Sequence, residues 1–219
     1  MGCPDRSIEK QGAGAKIITT PDLAVEIIQA AKRGAPKLPV SVKTRLGYNK
    51  DILEEWLPKI LSADPAAVTI HARTRKEMSL VPARWERVKR AVEIRNELGS
   101  SALILGNGDA KDLEDARQKV AESGADGAML GRAIFGNPWL FSKNPEVSIE
   151  TRLRVAVEHS KMFEEMLGDI KSFALMKKHF KAYVEGFPGA KELRMQLMET
   201  SNAQEIEDII KAFLKERVQ

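Results

Sequence analysis

The stretch that most constrains the fold runs from residue 102 to residue 132, where two short apolar runs flank a helical pattern. The first run ends in Gly106-Asn107-Gly108-Asp109 and the second in Gly131-Arg132. This pattern predicts a strand–helix–strand unit, in which the crossover helix makes the strands parallel and brings their carboxyl ends together. Glycines let backbone N–H groups approach a ligand closely, and arginine adds a planar charge. The unit therefore predicts a phosphate site, although either turn alone is equally compatible with an ordinary loop.

The same alternation extends toward the amino end of the chain. Residues 39–47 and 67–71 have the composition of strands, and residues 102–105 and 127–130 follow as the third and fourth. Helical patterns cover residues 21–34, 52–61, 85–98 and 110–123, and the first is expected to bury a face formed by Leu23, Ile27, Ile28 and Ala31. The regular order predicts an α/β fold with a four-stranded parallel sheet. Residues 2–15 are predicted to form a glycine-rich loop.

Polar residues follow each predicted strand. They are Lys43 and Arg45, His71 and Arg73, Asn107 and Asp109, and Gly131 and Arg132. Because ligands of parallel α/β folds bind at the carboxyl ends of the strands, we expect these residues to converge on one mouth. Taken singly, each is equally a solvated strand end or a structural hydrogen-bonding residue.

From residue 148 onward only helical patterns remain, over residues 149–167, 172–184, 190–198 and 203–214. We therefore divide the chain into an α/β domain, residues 1–147, and a helical domain, residues 148–219. Asn202 with Glu205 is predicted to form a capping box. A lysine cluster lies in a stretch that ends at Val184 and contains no acidic residue: Lys171, Lys177, Lys178 and Lys181. Such a cluster is either a solvated helix face or a contact surface for a phosphate backbone.

Composition excludes several classes of protein. With 219 residues, 43% hydrophobic, the chain can bury a substantial core, and no apolar run approaches the ~20 residues of a membrane helix. We expect a cytoplasmic protein without membrane association. The net charge of +4 permits a polyanionic partner without requiring one. Cys3, the single cysteine, has no partner for an internal disulfide and is either structural or chemically active.

Taken in order, these motifs resemble the tRNA-dihydrouridine synthases. The similar segments in the α/β part are Gly2-Cys3-Pro4, Gly12-Ala13-Gly14-Ala15, Val42-Lys43-Thr44-Arg45-Leu46-Gly47, His71-Ala72-Arg73-Thr74-Arg75, Gly106-Asn107-Gly108-Asp109, Asp126-Gly127-Ala128-Met129-Leu130-Gly131-Arg132 and Gly136-Asn137-Pro138-Trp139-Leu140-Phe141. In the helical part, Lys178-His179-Phe180, Gly186-Phe187-Pro188-Gly189-Ala190 and Leu193-Arg194 are similar to that family's RNA-binding domain. The alanine of His71-Ala72-Arg73 replaces a glycine that is usual in the family.

The resemblance implies an FMN-dependent oxidoreductase that reduces a uridine of tRNA to 5,6-dihydrouridine, with NADPH as the reductant. It implies that Cys3 is the general acid, and that Lys43 and His71 contact the isoalloxazine ring. The phosphate of FMN would be held by Asn107, Gly108, Asp109, Gly131 and Arg132. The residues expected to contact the substrate or the RNA are Arg45, Arg73, Lys177, Lys178, Lys181 and Arg194.

One departure from the family concerns the barrel itself. Members of the family have an eight-stranded (β/α)8 barrel in which the Gly-Cys-Pro loop follows the fourth strand, whereas here Met1 stands inside that loop. We therefore expect the carboxyl-terminal half of a TIM barrel followed by a helical domain, completed by a complementary half or by self-association. The missing first half of the barrel would be explained by a truncated gene, by a start codon assigned too late, or by a split protein that another chain completes. Two other functions stay open: a flavin barrel oxidoreductase acting on a free dihydropyrimidine, and a non-catalytic RNA-binding fragment.

Overall fold

A computed structural model describes residues 1–142 and 147–217 of the chain. The chain divides into two compact units, Met1–Arg132 and Ala133–Gln219. The sequence analysis placed the boundary between the two functional domains between residues 147 and 148. That assignment stays a prediction.

The first unit is built on four parallel strands in the order β1-β2-β3-β4. They are β1 (Ser41–Arg45), β2 (Ala67–His71), β3 (Leu103–Asn107) and β4 (Gly127–Met129). The helices of this unit are α1 (Arg6–Glu9), α2 (Pro21–Gly34), α3 (Leu53–Ser62), α4 (Trp85–Glu97) and α5 (Leu113–Ser123), and Gly14–Thr19 forms a 3-10 helix. The strands and helices alternate along the chain in the predicted order, and the four strands are parallel. The expected run of four parallel β-α units is therefore confirmed.

The two faces of the sheet differ in burial because side chains alternate along a strand. One face packs under the helices, with Val68, Ile70 and Ile104 fully buried. The opposite face is covered only in part: Leu103 is 50% exposed there, whereas Thr69 and Arg45 on the same face are buried. In a (β/α)8 barrel this second face lines the interior. The sheet therefore has the arrangement of four consecutive units of such a barrel, as the predicted fold class requires.

Two expectations for the amino-terminal segment are wrong in detail. In α2 the buried residues are Ala24 and Ile28, whereas Leu23 is 44% and Ile27 is 40% exposed. The reason is that α2 stands at the end of the helix layer, so only the side toward α3 and the 3-10 helix is covered. The predicted glycine-rich loop is also more ordered than expected, because it contains α1 and the 3-10 helix Gly14–Thr19.

The second unit is helical, as predicted. It contains a 3-10 helix, Phe173–Met176, and the helices α6 (Ile149–Leu167), α7 (Lys177–Tyr183), α8 (Ala190–Glu199) and α9 (Ala203–Arg217). The predicted helix over residues 172–184 is therefore a 3-10 turn that leads into a shorter α-helix. One half of the predicted capping box is present, since Asn202 Oδ1 accepts a hydrogen bond from the Glu205 amide at 2.9 Å. The Glu205 carboxylate accepts its hydrogen bond from the Ser201 amide, at 2.8 Å, one residue before the cap. In the described part of the chain, no helix is long and apolar enough to cross a membrane.

Candidate active site

Residues that end neighbouring strands lie side by side at the carboxyl edge of the sheet. The strand register pairs Arg45 with His71, His71 with Asn107, and Asn107 with Met129. Lys43 lies two residues before Arg45 and therefore on the same face of β1. The structure thus brings together, at one mouth, the polar strand ends that the sequence predicts. Their roles in binding stay predictions.

The carboxylate of Asp109 connects two arginines at this mouth. Its Oδ2 accepts hydrogen bonds from Arg73 Nη2 at 2.5 Å and from the Ala83 amide at 2.8 Å, and its Oδ1 accepts one from Arg132 Nη2 at 2.8 Å. Partial burial alone would raise the pKa of Asp109, but the hydrogen bonds from Arg73 and Ala83 outweigh it and lower that pKa. Asp109 is therefore an anion that holds Arg73 and Arg132 in place.

His71 is neutral, and one of its two tautomers is favoured. Desolvation, with the positive charges of Arg45, Lys43 and Arg73, lowers the pKa of His71 to about 3. Arg73 Nη1 lies 3.3 Å from His71 Nε2. Because a guanidinium can only donate, Nε2 must be the acceptor, and the ring proton lies on Nδ1. His71 therefore has an N–H donor at Nδ1.

Arg45 is buried, and its guanidinium is bonded to backbone carbonyls. Its Nε donates to the Gly2 carbonyl at 2.8 Å, and its Nη1 donates to the Thr74 carbonyl at 3.2 Å. Arg73, 3% exposed, similarly donates from Nε to the Val81 carbonyl at 2.6 Å. Both arginines thus anchor loops around the mouth, which the sequence did not indicate. The substrate contacts expected for them stay predictions. Desolvation and the charge of Arg45 lower the pKa of Lys43.

The loop that carries Cys3 is fixed from several sides while the cysteine itself is exposed. The Ala15 amide donates to the Cys3 carbonyl at 2.8 Å. Gly14 has a φ of +62°, and a Cβ there would lie 2.6 Å from the Cys3 carbonyl oxygen, so this close approach requires glycine. Together with the hydrogen bond from Arg45 to Gly2, these contacts hold an accessible thiol on a rigid backbone.

The two glycine turns predicted to bind phosphate are adjacent, since Arg132 contacts Asp109 across them. Gly108 has a φ of +126°, a conformation that L side chains rarely adopt. Within the described residues, the backbone N–H groups of Gly108, Asp109 and Gly131 donate to no acceptor. The side-chain amide of Asn107 donates to the Met129 carbonyl at 2.7 Å and so joins the two turns. The turns therefore contain N–H groups without a partner beside an exposed guanidinium, and of the three residues Asp109 and Gly131 are accessible while Gly108 is buried.

In the helical unit, a groove of about 1010 Å³ lies between α7 and α8. Its basic lining residues are Lys177, Lys178, Lys181, Lys191 and Arg194. Arg194 Nη1 donates to the Val184 carbonyl at 2.6 Å, which fixes this side chain at the groove wall. The structure thus brings together four residues predicted to contact RNA and adds Lys191, which the sequence analysis missed because it lies ten residues beyond the cluster.

Sequence analysis also missed the ion pair between Glu9 and Arg75, which ties α1 to the segment after β2. No local pattern signals such a pair, because the partners are 66 residues apart. The Glu9 side chain is only 8% exposed. It therefore neutralises Arg75 and strengthens the attachment of the Cys3 loop to the sheet.

One protein-family model matches nearly the whole of this chain. That family is described as "Dihydrouridine synthase (Dus)", and the match spans residues 1–218. The chain belongs to the dihydrouridine synthase family.

Individual relatives agree with this membership. The "Probable tRNA-dihydrouridine synthase" of Staphylococcus aureus (strain MRSA252) is 42% identical over 216 residues, which are 97% of this chain and 65% of that protein. The "Probable tRNA-dihydrouridine synthase 2" of Bacillus subtilis (strain 168) is 40% identical over 97% of this chain and 66% of that protein. The chain thus spans about two thirds of the length of these relatives. A crystal structure of 2,3-dimethylmalate lyase matches with a TM-score of 0.41 and 12% identity, over 83% of this chain and 76% of that one, which is too distant to bear on fold or function.

Proposed function

We propose that this chain provides the thiol, half of the flavin site and an RNA-binding unit of an enzyme that reduces a uridine of tRNA to 5,6-dihydrouridine. The observation that carries the proposal is an exposed cysteine on an anchored loop, at the same carboxyl edge of the sheet as two glycine turns joined by the contact between Arg132 and Asp109. The Staphylococcus aureus relative is longer than this chain, which covers 65% of it. Its activity requires the rest of the barrel.

The residues present fit the phosphate of FMN. The backbone N–H groups of Gly108, Asp109 and Gly131 have no acceptor in the described part of the chain, so a phosphate oxygen would satisfy them. Arg132, with its side chain 69% exposed, adds a bidentate charge. The carboxylate of Asp109 does not oppose phosphate binding, because Arg73 and Arg132 neutralise it. Asn107 would hold the two turns at the spacing that the phosphate needs.

Lys43 and His71 are the candidates to contact the isoalloxazine ring. Both lie on the partly covered face of the sheet, Lys43 as a cation and His71 as a neutral donor at Nδ1. A cation and an N–H donor on one side of a flavin stabilise negative charge on its reduced form. When bound, FMN that has been reduced by NADPH supplies a hydride to C6 of the uracil ring.

Cys3 is the candidate general acid. As the C6–H bond forms, negative charge develops toward C5, and the thiol donates its proton to that carbon. The uracil C5=C6 double bond then becomes a single bond, and the thiolate is reprotonated from solvent. The rigid loop around Gly14 would hold the sulfur at a fixed position relative to the mouth. A uridine reaches this position only if it leaves the RNA stack.

The groove in the helical unit favours tRNA over a free pyrimidine. Lys177, Lys178 and Lys181 line it together with Arg194, and a small substrate offers no polyanion that would use them. A flavin enzyme acting on a free dihydropyrimidine would leave this surface without a function. The third possibility, a non-catalytic RNA-binding protein, would not need the unused N–H donors of the glycine turns.

The test combines flavin retention with substrate choice. The chain is joined to the part of the barrel that it lacks relative to the Staphylococcus aureus protein, purified, and examined for bound FMN by its absorption spectrum. We expect bound FMN, oxidation of NADPH in the presence of unmodified tRNA, and none with free uracil. Absence of flavin would leave only the RNA-binding interpretation, whereas turnover of free uracil without tRNA turnover would favour the small-molecule enzyme.

A further inference from the structure

Three segments at the carboxyl edge of the sheet form one continuous rim beside the Cys3 loop. They are the 3-10 helix with Lys16, the loop after β1 with Tyr48 and Lys50, and the loop after β2 with Lys76. The Lys76 amide donates to the Tyr48 carbonyl at 2.9 Å, and Lys16 Nζ lies 5.2 Å from the centre of the Tyr48 ring. Lys16 and Lys76 are therefore held beside Tyr48, and Lys50 follows Tyr48 by two residues in the same loop. We call these three lysines the basic rim.

The carboxylates of these segments are already engaged. Glu9 pairs with Arg75, Asp51 with Arg87, and Glu77 with Arg84. Asp5, in the neighbouring Cys3 loop, accepts hydrogen bonds from the amide and hydroxyl groups of Ser7 and forms no ion pair with a described residue. By contrast, Lys16, Lys50 and Lys76 form no ion pair with any described residue. All three are exposed to solvent. The rim thus presents positive charges that the protein itself does not neutralise.

The neighbouring mouth is electropositive as well. Arg45, Lys43 and Arg73 all lower the pKa of His71, with Asp109 as the one opposing charge. Because the mouth and the rim carry the same sign of charge, an anion that reaches the mouth would also be attracted by the rim. An extended polyanion carries several phosphates and can therefore contact more than one of these charges at a time.

We propose that the basic rim is a second RNA-contact surface, which binds the phosphates of nucleotides flanking the uridine presented to Cys3. This inference rests on the proposed function and adds to it a surface separate from the groove lined by Lys177 and Lys178. Lysines are flexible point charges, suited to backbone phosphates rather than to the edges of bases. The rim therefore holds RNA of any sequence and positions the strand next to the mouth.

The experiment is a salt titration of the binding of an unmodified tRNA transcript to the 219-residue chain, followed by fluorescence anisotropy. The test variant is Lys16→Gln/Lys50→Gln/Lys76→Gln. The control matched in charge is Lys37→Gln/Lys89→Gln/Lys215→Gln, which removes three exposed lysines from the segment before β1, from α4 and from α9. We expect the test variant to bind about 10-fold more weakly, with a log–log salt slope flatter by about two to three units, while the control stays like the parent. The triple Lys→Arg variant should keep the parental slope, because it keeps the charges.

Two further measurements distinguish a failure of the rim proposal from a failure of the proposed function. Lys177→Gln/Lys178→Gln tests the groove in the helical unit in the same titration. If this variant weakens binding while the rim variant matches the parent, the rim proposal is overturned and tRNA remains the substrate. If the parent chain does not bind tRNA better than an equal concentration of free nucleotides, both the rim and the tRNA assignment fail. An additive loss from the rim and groove variants supports two separate surfaces.

Discussion

Arg73 Nη1 lies 3.3 Å from Nε2 of His71, and the same guanidinium binds Asp109 through Nη2. Through Asp109 this network continues to Arg132, beside the glycine turns. The candidate ring contact and the candidate phosphate site are therefore parts of one hydrogen-bonded network. A change at Arg73 should affect both.

We expect His71 to stay neutral, with its proton on Nδ1, down to pH 5. Its pKa in the folded chain is about 3, below the ordinary 6.5, so the fold favours the neutral ring. The stability that this provides is present above pH 6.5 and is lost as the pH falls from 6.5 toward 3. Nitrogen-15 NMR of the imidazole between pH 4 and 8 measures the protonation state and the tautomer of His71. A titration midpoint near 6.5 would show that neither burial nor the surrounding cations lower the pKa of this ring.

Removing Arg73 should destabilise the fold far more than removing Arg132. Arg73 is buried, and Arg73→Ala leaves the Asp109 carboxylate without its inner partner, at an expected cost of about 2–4 kcal/mol in the free energy of unfolding. Arg132 is largely exposed, and Arg132→Ala should cost less than about 1 kcal/mol. Urea denaturation of both variants provides the comparison. Equal costs would mean that the pair with Arg73 contributes no more than a surface ion pair.

A matched pair of glycine variants tests the anchoring of the Cys3 loop. Gly12 and Gly14 both have positive φ angles, 74° and 62°, but a Cβ at Gly12 meets nothing within 4 Å. Gly12→Ala should therefore cost only the strain of its backbone, about 1 kcal/mol. Gly14→Ala adds a clash with the Cys3 carbonyl and should cost about 2–3 kcal/mol more, with a changed rate of Cys3 alkylation. If the two variants unfolded at the same urea concentration, the close packing against Cys3 would be unimportant.

The sequence predicted the sheet well because strand and helix periodicity are local signals. The strands over residues 41–45 and 67–71 fall within or match the expected runs, and the polar strand ends meet because parallel strands must align their carboxyl ends. The burial of Arg45 was not predictable in this way. Its partners, the carbonyls of Gly2 and Thr74, are 43 and 29 residues distant, so their proximity depends on the tertiary fold.

The same limit applies to exposure. Leu23 and Ile27 have the spacing of a buried helix face, yet they are exposed because no element of this chain's first unit covers that side of α2. Periodicity reports which face could be buried, whereas the neighbouring elements decide whether it is. The groove residue Lys191 illustrates the converse, since only the packing of α8 beside α7 brings it to the lysine cluster.

The most direct test of the proposed reaction is dihydrouridine formation in a chimera, in which this chain replaces the matching 216 residues of the Staphylococcus aureus protein. The chimera is produced in a host that lacks its own dihydrouridine synthases, and dihydrouridine in the host tRNA is measured by mass spectrometry. We predict that the modification is restored, and that Cys3→Ala lowers its rate about 10²- to 10⁴-fold while the bound-flavin spectrum is unchanged. Full activity of the Cys3→Ala chimera, or a flavin-loaded chimera that forms no dihydrouridine, would contradict the assignment.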